Sequence, residues 1–487
     1  MSPAHQAGKR RWLVLTLVVA VLAGLAVAAR SPGKGSPGGP PPESAAAVGA
    51  PDAESSAWYC TGQSTAAGQV APGSVILTNT GRRAVTGTIS AVTDTGAKVE
   101  AGVSVAARSQ RIAAIPVPAT GSWISEAVVL SGGGVAVTQA TDGPTGWSQS
   151  PCLSSTSQQW YFPGGVTTGS DALFIALFNP TSTPDVIDLG FVTPTGSVHP
   201  INFQGIVLEP GQMQVESVAP FVQEKSNVST TVVSRTGRVV ASELQLLSGN
   251  GSGLSIVPGS PRPEDQWTIP QSTEVADGSS SIDVFNPGPT TEDVTVRIRL
   301  SSGPVAPFVD RVPAGSTWVL QTATQTRIPQ GDPYSTAIAA RGGPGVVAGR
   351  IVIAPTTAFA PQGGLSTAVD ALTSASPSLQ WVVPEPALPG ASPHTLALSN
   401  LSAGRETYVI DAMGPSGLRT IAKGAIGASM SLWLGSPVLS RAGLSPLIVT
   451  ASGRAAVSED VGPTGTVGVV TMPGLPLPLP APAAGGS

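Results

Sequence analysis

Along most of its length the chain alternates apolar and polar residues in runs of five to eight, each closed by Gly, Pro, Asn or Ser. The runs are rich in Val, Ile and Thr, and turn signals fall about every 8–12 residues, the signature of short half-buried strands. Outside residues 12–29 no segment keeps an i, i+3, i+4 apolar stripe for three turns, so the pattern predicts an all-β protein.

The strands recur in a fixed order. Trp58, Trp160, Trp267 and Trp381 open segments reading AWYC, QWYF, QWTIP and QWVVP, at spacings of 102, 107 and 114 residues. An apolar strand ending in Asn follows each one, at Asn79, Asn179, Asn286 and Asn400, after 21, 19, 19 and 19 residues. Next come a strand running into a Gly turn, a Pro/Gly or Ala/Gly hinge, and a closing hairpin such as TTVVSRTGRVVASEL. Four anchors in one order define four copies of one unit. A four-stranded propeller blade takes roughly 40–50 residues, so a unit of about 105 suits a seven- or eight-stranded immunoglobulin-like sandwich better. The expected architecture is therefore four tandem immunoglobulin-like β-sandwich repeats, at 58–153, 158–260, 265–374 and 379–474, followed by an unfolded tail at 475–487. The equivalent tryptophans read as anchors packed between two sheets, and the asparagines as turn formers.

Ahead of the repeats, Lys9-Arg10-Arg11 precede eighteen uncharged, mainly apolar residues, 12–29. As a helix these would span roughly 27 Å, near the hydrocarbon thickness of a bilayer. The basic residues 1–11 then stay cytoplasmic and the bulk of the chain is exported. Leu13 to Leu25 also fits a signal-peptide core, with Ala26-Val27-Ala28 as a cleavage site, so anchor and cleaved signal both stand. Either way the expected location is the outer side of the cell membrane, or beyond it. Residues 30–57 read as a Pro/Gly-rich linker.

Export makes the two cysteines informative. Cys60 lies in the opening strand of the first unit and Cys152 just past its last, and in an oxidising setting they pair most simply with each other. A disulfide needs Cα atoms roughly 4.4–6.8 Å apart, so the unit would begin and end at one place. Neighbouring units would then pack side by side.

The chemical inventory is thin. Charged residues are 11% of the chain and its net charge is −4, which leaves no broad positive field for nucleic acid. The three histidines, His5, His199 and His394, have no nucleophile elbow nearby. Asp171, Asp185, Asp188, Asp283, Asp293, Asp310 and Asp370 read as solvated turn carboxylates, and no calcium or phosphate loop is present. Asn227, Asn250 and Asn400 match the glycosylation sequon. No metal or other cofactor and no enzymatic activity is expected. The tryptophans outside the repeated column, Trp123, Trp147, Trp318 and Trp433, are the candidate ligand contacts.

The Trp58-Tyr59-Cys60 opening, the apolar segment and linker before it and the tandem β units resemble an uncharacterised family of actinobacterial envelope proteins. That resemblance implies location and β architecture and carries over no site residues. The expected function is a non-catalytic, membrane-tethered scaffold or accessory for envelope proteins. A wall-glycan-binding or adhesive module is the alternative, with the first unit as its reader, and a carboxylate-only hydrolase stands behind both.

Overall fold

The computed structural model describes residues 46–65, 68, 70–116, 118, 120–248, 252–274, 278–353, 365–368, 379–387, 391–463 and 470–478. Repeat 1 supplies β1 (Ser56–Ser64), β2 (Gly73–Asn79), β3 (Val85–Thr93), β4 (Lys98–Val105), β5 (Ser109–Ala114), β6 (Trp123–Leu130), β7 (Val135–Gly143) and β8 (Gly146–Pro151). Repeat 2 supplies β9 (Gln159–Phe162), β10 (Ala172–Phe178), β11 (Asp185–Thr193), β12 (Gly196–Val198), β13 (Ile206–Leu208), β14 (Met213–Ser217), β15 (Ser229–Ser234), β16 (Val240–Ser248) and β17 (Ser252–Pro258). Repeat 3 supplies β18 (Gln266–Thr273), β19 (Ser279–Asn286), β20 (Glu292–Leu300), β21 (Gly303–Pro304), β22 (Phe308–Val312), β23 (Ser316–Gln321), β24 (Pro333–Arg341), β25 (Val347–Ile353) and β26 (Leu365–Ala368). Repeat 4 supplies β27 (Gln380–Val383), β28 (Ala391–Asn400), β29 (Glu406–Gly414), β30 (Gly417–Ile426), β31 (Ser431–Gly435), the short helix α1 (Ser436–Leu439), β32 (Leu447–Ala451), β33 (Ala455–Pro463), β34 (Val470–Pro473) and β35 (Leu475–Leu477).

Within each repeat the strands interleave between two antiparallel sheets. One, here the axial sheet, has the order β5-β2-β7-β8 in repeat 1, β14-β10-β16-β17 in repeat 2, β23-β19-β25-β26 in repeat 3 and β31-β28-β33-β34 in repeat 4. The other, the wedge sheet, runs β1-β6-β3-β4, β12-β11-β15-β9, β18-β24-β20-β21 and β30-β29-β32-β27-β35. The last strands of the axial sheets, β8, β17, β26 and β34, neighbour one another in a closed circuit around an axis. Each wedge sheet packs on the axial sheet of its own repeat through one face and on that of the next repeat through the other. The circuit closes from repeat 4 to repeat 1. Val382, Met413, Ile448, Leu475 and Leu477 of repeat 4 share a core cluster with Trp58, Leu77 and Val137 of repeat 1. The Val48 N–H donates to the Pro476 carbonyl at 3.3 Å, and Gln110 Nε2 to the Glu385 carbonyl at 3.0 Å.

The protein is an eight-bladed β-propeller, and this corrects the expected row of four immunoglobulin-like sandwiches. The repeat was read as one unit too long for a blade, whereas it is two blades threaded together. The faces that a free sandwich would leave to water are covered by the next repeat. β7 pairs with β2 in the axial sheet and β6 with β1 in the wedge sheet.

The expected membrane-spanning helix at 12–29 lies outside the described residues. Among the described residues no helix is long and apolar enough to cross a membrane. At the edges of the repeats, Val48 of the expected linker is buried and Leu475–Leu477 of the expected tail pairs as β35 with β27.

Trp58, Trp160, Trp267 and Trp381 are buried to 1% exposure or less between the two sheets of their repeats. Trp160 and Trp267 donate their indole N–H to the carbonyls of Val239 and Val346, at 2.9 and 2.7 Å. Asn79, Asn179, Asn286 and Asn400 are buried turn clamps. Each Nδ2 donates to the carbonyl four residues on (Arg83, Thr183, Thr290, Gly404) and to the hinge strand, while each Oδ1 accepts the N–H two residues on. Such clamps satisfy backbone groups that turns otherwise leave bare. Cys60 and Cys152 form a disulfide with Cα atoms 4.7 Å apart, which holds the first and last strands of repeat 1 together.

Candidate functional site: two open joints flanking repeat 4

Where one repeat meets the next, the residue after the anchor tryptophan faces the residue before the next repeat's clamp asparagine. At joint 1/2 these are Tyr59 and Phe178, with rings edge-to-face at 6.3 Å. At joint 2/3 they are Tyr161 and Phe285, at 6.4 Å in the same arrangement. Trp123 adds a second contact at joint 1/2, 5.3 Å from Phe174. Edge-to-face aromatic pairs combine large buried area with favourable quadrupole geometry, so they wedge these joints shut.

The same two columns hold Thr268 and Ser399 at joint 3/4, and Val382 and Thr78 at joint 4/1. Among the described residues no aromatic pair fills either one, and each joint carries a cleft, although Val382 at joint 4/1 packs into the repeat 1 core. The cleft at joint 3/4 has a volume of about 540 Å³. Its floor is Ser335, Ala337 and Ala339 of β24, small residues that leave room, and one wall is Ser399, Asn400, Leu401, Ser429 and Ser431. Hydrogen bonds from Ser399 to Ser431 (2.8 Å) and from Ser431 to Ser335 (2.7 Å) bridge the joint. The cleft at joint 4/1, about 720 Å³, lies between the Asn79 turn and Gln380, Leu418, Ile448 and Leu477. Both volumes are in the range of small-ligand sites.

Both clefts are electropositive. Arg297, Arg299, Arg341 and Arg454 line the first, with no carboxylate among the lining residues. Arg82, Arg83 and Arg108 line the second, with Asp52. The three ion pairs among the described residues involve Arg235, Arg262 and Arg311, and none of the seven cleft arginines.

The backbone marks the same two places. The hinge turn needs a left-handed residue, supplied by Gly211 (φ 66°) in repeat 2 and Gly315 (φ 61°) in repeat 3. Repeats 1 and 4 place Arg108 (φ 48°) and Ser429 (φ 51°) there, and each of these lines a cleft. A non-glycine residue in that conformation costs roughly 1–2 kcal/mol.

The four tryptophans read as ligand contacts do not converge. Trp147 is fully buried against Val461, Val470 and Met472 of repeat 4. Trp123 is half-buried in joint 1/2, and Trp318 is half-buried against the repeat 3 core. Trp433, also half-buried, donates its indole N–H across joint 3/4 to the Pro270 carbonyl at 3.3 Å. His199 is exposed, and His5 and Asp370 lie outside the described residues. The sequon asparagines Asn227 and Asn400 are buried, and Asn250 lies outside the described residues.

Asp283 is not a solvated turn carboxylate. It is buried in β19 at joint 2/3, accepts a hydrogen bond from Asn227 Nδ2 at 2.8 Å, and burial pushes its pKa up to about 7. Glu243, equally buried, is raised well above the usual carboxylate range by burial and by the charge of Asp283. Burial also lifts Glu126 to about 8, and Glu459 to about 8 with help from Asp460 and Glu385. Charged letters on a strand gave no sign that these would sit between sheets.

Fold and site together define an eight-bladed propeller with two arginine-lined clefts between blades. A model for a family of unknown function, DUF5719, matches residues 125–348, less than half of the chain, taking in all of repeat 2 and ending before repeat 4. No curated protein sequence matches the chain. Among solved structures it is similar to a crystal structure of a tetra-tandem repeat in the extending region of a large adhesion protein. That match has 11% identity over 86% of this chain and 99% of the other, and at a TM-score of 0.13 it carries no structural weight.

Proposed function

We propose that the chain is a non-catalytic binding platform, an accessory that holds cell-envelope partners at the two open joints flanking repeat 4. The observation that carries this reading is the pair of clefts at the two joints that lack the aromatic wedge, each lined by arginines that form no ion pair among the described residues. The disulfide supports an oxidising compartment. The buried carboxylates are enclosed between sheets, which favours packing over catalysis for them. Repeat 4, with a cleft on either side, replaces repeat 1 as the reader.

The test is crosslinking in cells of the source organism, then affinity purification and mass spectrometry of proteins and attached glycan, using the native chain and Thr268→Tyr/Ser399→Phe. The paired substitution rebuilds the wedge at joint 3/4. The reading expects a defined set of envelope components with the native chain and its loss with the wedged variant. Recovery of the same set with both would remove joint 3/4 from the function.

A further inference from the structure

We propose that the cleft at joint 3/4 binds a segment of an anionic polymer through Arg297, Arg299, Arg341 and Arg454. The inference rests on reading the open joints as binding sites, and adds the chemistry of the ligand.

The register of the wedge sheet sets the geometry. Arg297 and Arg299 stand two apart on β20, opposite Ala337 and Ser335 of β24. Residues i and i+2 of a strand share a face, and at about 3.4 Å per residue their Cα atoms lie roughly 7 Å apart. Arg341 is two residues beyond Ala339 on β24 and so rises from the same face, while Arg454 comes from the β32–β33 turn across the joint. Cations thus stand on both sides of a floor made of small side chains.

Like charges held in one cleft repel, and nothing lining this one offsets them. Asp293, the register partner of Arg341, is engaged by Arg311 at 3.1 Å. The clustering runs against the composition, since the whole chain is net negative at −4. Guanidinium groups are planar forks that match carboxylate and phosphate oxygens two at a time. Several forks at strand spacing suit several anionic groups along one ligand better than one isolated anion. The shared chemistry is therefore a chain bearing phosphate or carboxylate groups at intervals.

Fluorescence anisotropy of the full chain tests this, with labelled short-chain polyphosphate in one arm, labelled oligogalacturonate in the other and labelled neutral dextran as control. Binding is expected in at least one anionic arm, weakening with salt and absent with dextran, and the stronger arm identifies the group. Arg297→Ala/Arg299→Ala should weaken it about tenfold or more, because charge-assisted hydrogen bonds are lost, with an unchanged melting temperature. Arg235→Ala, in a surface ion pair with Asp188 of repeat 2 and outside both clefts, should leave it intact. Equal affinity for native chain and Arg297→Ala/Arg299→Ala, or no binding in either anionic arm, overturns the inference. If the probes fail while partner capture still depends on the Thr268→Tyr/Ser399→Phe wedge, the anion inference falls and the binding-platform reading stands. If capture is also indifferent to the wedge, the anion inference falls and joint 3/4 drops out of the binding-platform reading with it.

Discussion

Joints 1/2 and 2/3 and joints 3/4 and 4/1 are the same contact made four times, with different residues in two columns. Tyr59 with Phe178 and Tyr161 with Phe285 close the first two. Thr268 with Ser399 leaves joint 3/4 open, and at joint 4/1, where Val382 packs into the repeat 1 core, a cleft opens beside the Asn79 turn. The ring holds in both cases because each repeat keeps a buried tryptophan between its sheets and joint 4/1 shares an apolar core, so the joints need not all be packed in the same way. What packing gives up at repeat 4 becomes concave, charged surface. The two kinds of joint divide the labour between holding the ring and presenting a site.

The contrast can be broken by emptying a filled joint. Phe285→Ala should cost about 3–5 kcal/mol in urea denaturation of the full chain, the usual loss for a buried aromatic. Ser399→Ala in the same column should cost only about 1 kcal/mol, the worth of its hydrogen bond. Equal losses would mean that the aromatic pair does not set the joint.

The filled joint 2/3 also carries a pH dependence. Asp283 ionises near its ordinary value in the unfolded chain but only at about 7 in the folded one, and Glu243 is shifted the same way. A raised folded-state pKa means that the unfolded state loses its proton first. This contribution to stability is therefore full below pH ~4, falls as pH rises from there, and is gone above about 8. For Asp283 alone the fall is on the order of 4 kcal/mol, and Asp283→Asn should flatten that part of a plot of melting temperature against pH. A rise in stability across the same range would contradict the assignment.

Smaller effects sharpen the comparison from the open side. Thr268→Tyr/Ser399→Phe should change stability by less than about 1 kcal/mol, because the aromatic pair offsets the lost Ser399 hydrogen bond, as read by denaturation midpoint. Arg297→Ala/Arg299→Ala should change stability by less than about 0.5 kcal/mol, as exposed or half-exposed charges do, which calorimetric melting can verify.

The strands were legible because period-two alternation and Gly/Pro/Asn punctuation survive in all four copies. The repeat was legible because Trp58 and Asn79 have counterparts at fixed spacing. The ring was not, because alternation shows which residues share a face and says nothing of what covers it. A signal was nonetheless present. Trp58-Tyr59 and Trp160-Tyr161 put large aromatics on both faces of one strand, and an outer sandwich face open to water would have a polar residue there. Thr268 and Val382 in that column were the sequence's mark of the open joints. The cleft arginines are far apart in sequence and meet only through sheet register and the packing of repeat 4. Asp283 read as a solvated turn carboxylate because nothing local distinguishes a carboxylate between sheets from one in water, and the same holds for Glu126, Glu243 and Glu459.

The interleaving of strands also constrains how such a molecule changes size. Deleting the length of one blade would remove strands from two sheets and strand their hydrogen-bonding partners. Only a whole repeat can be lost or duplicated without leaving an open edge. Rings of this kind therefore come in steps of two blades, and each added repeat brings one new joint that selection can either fill or leave open.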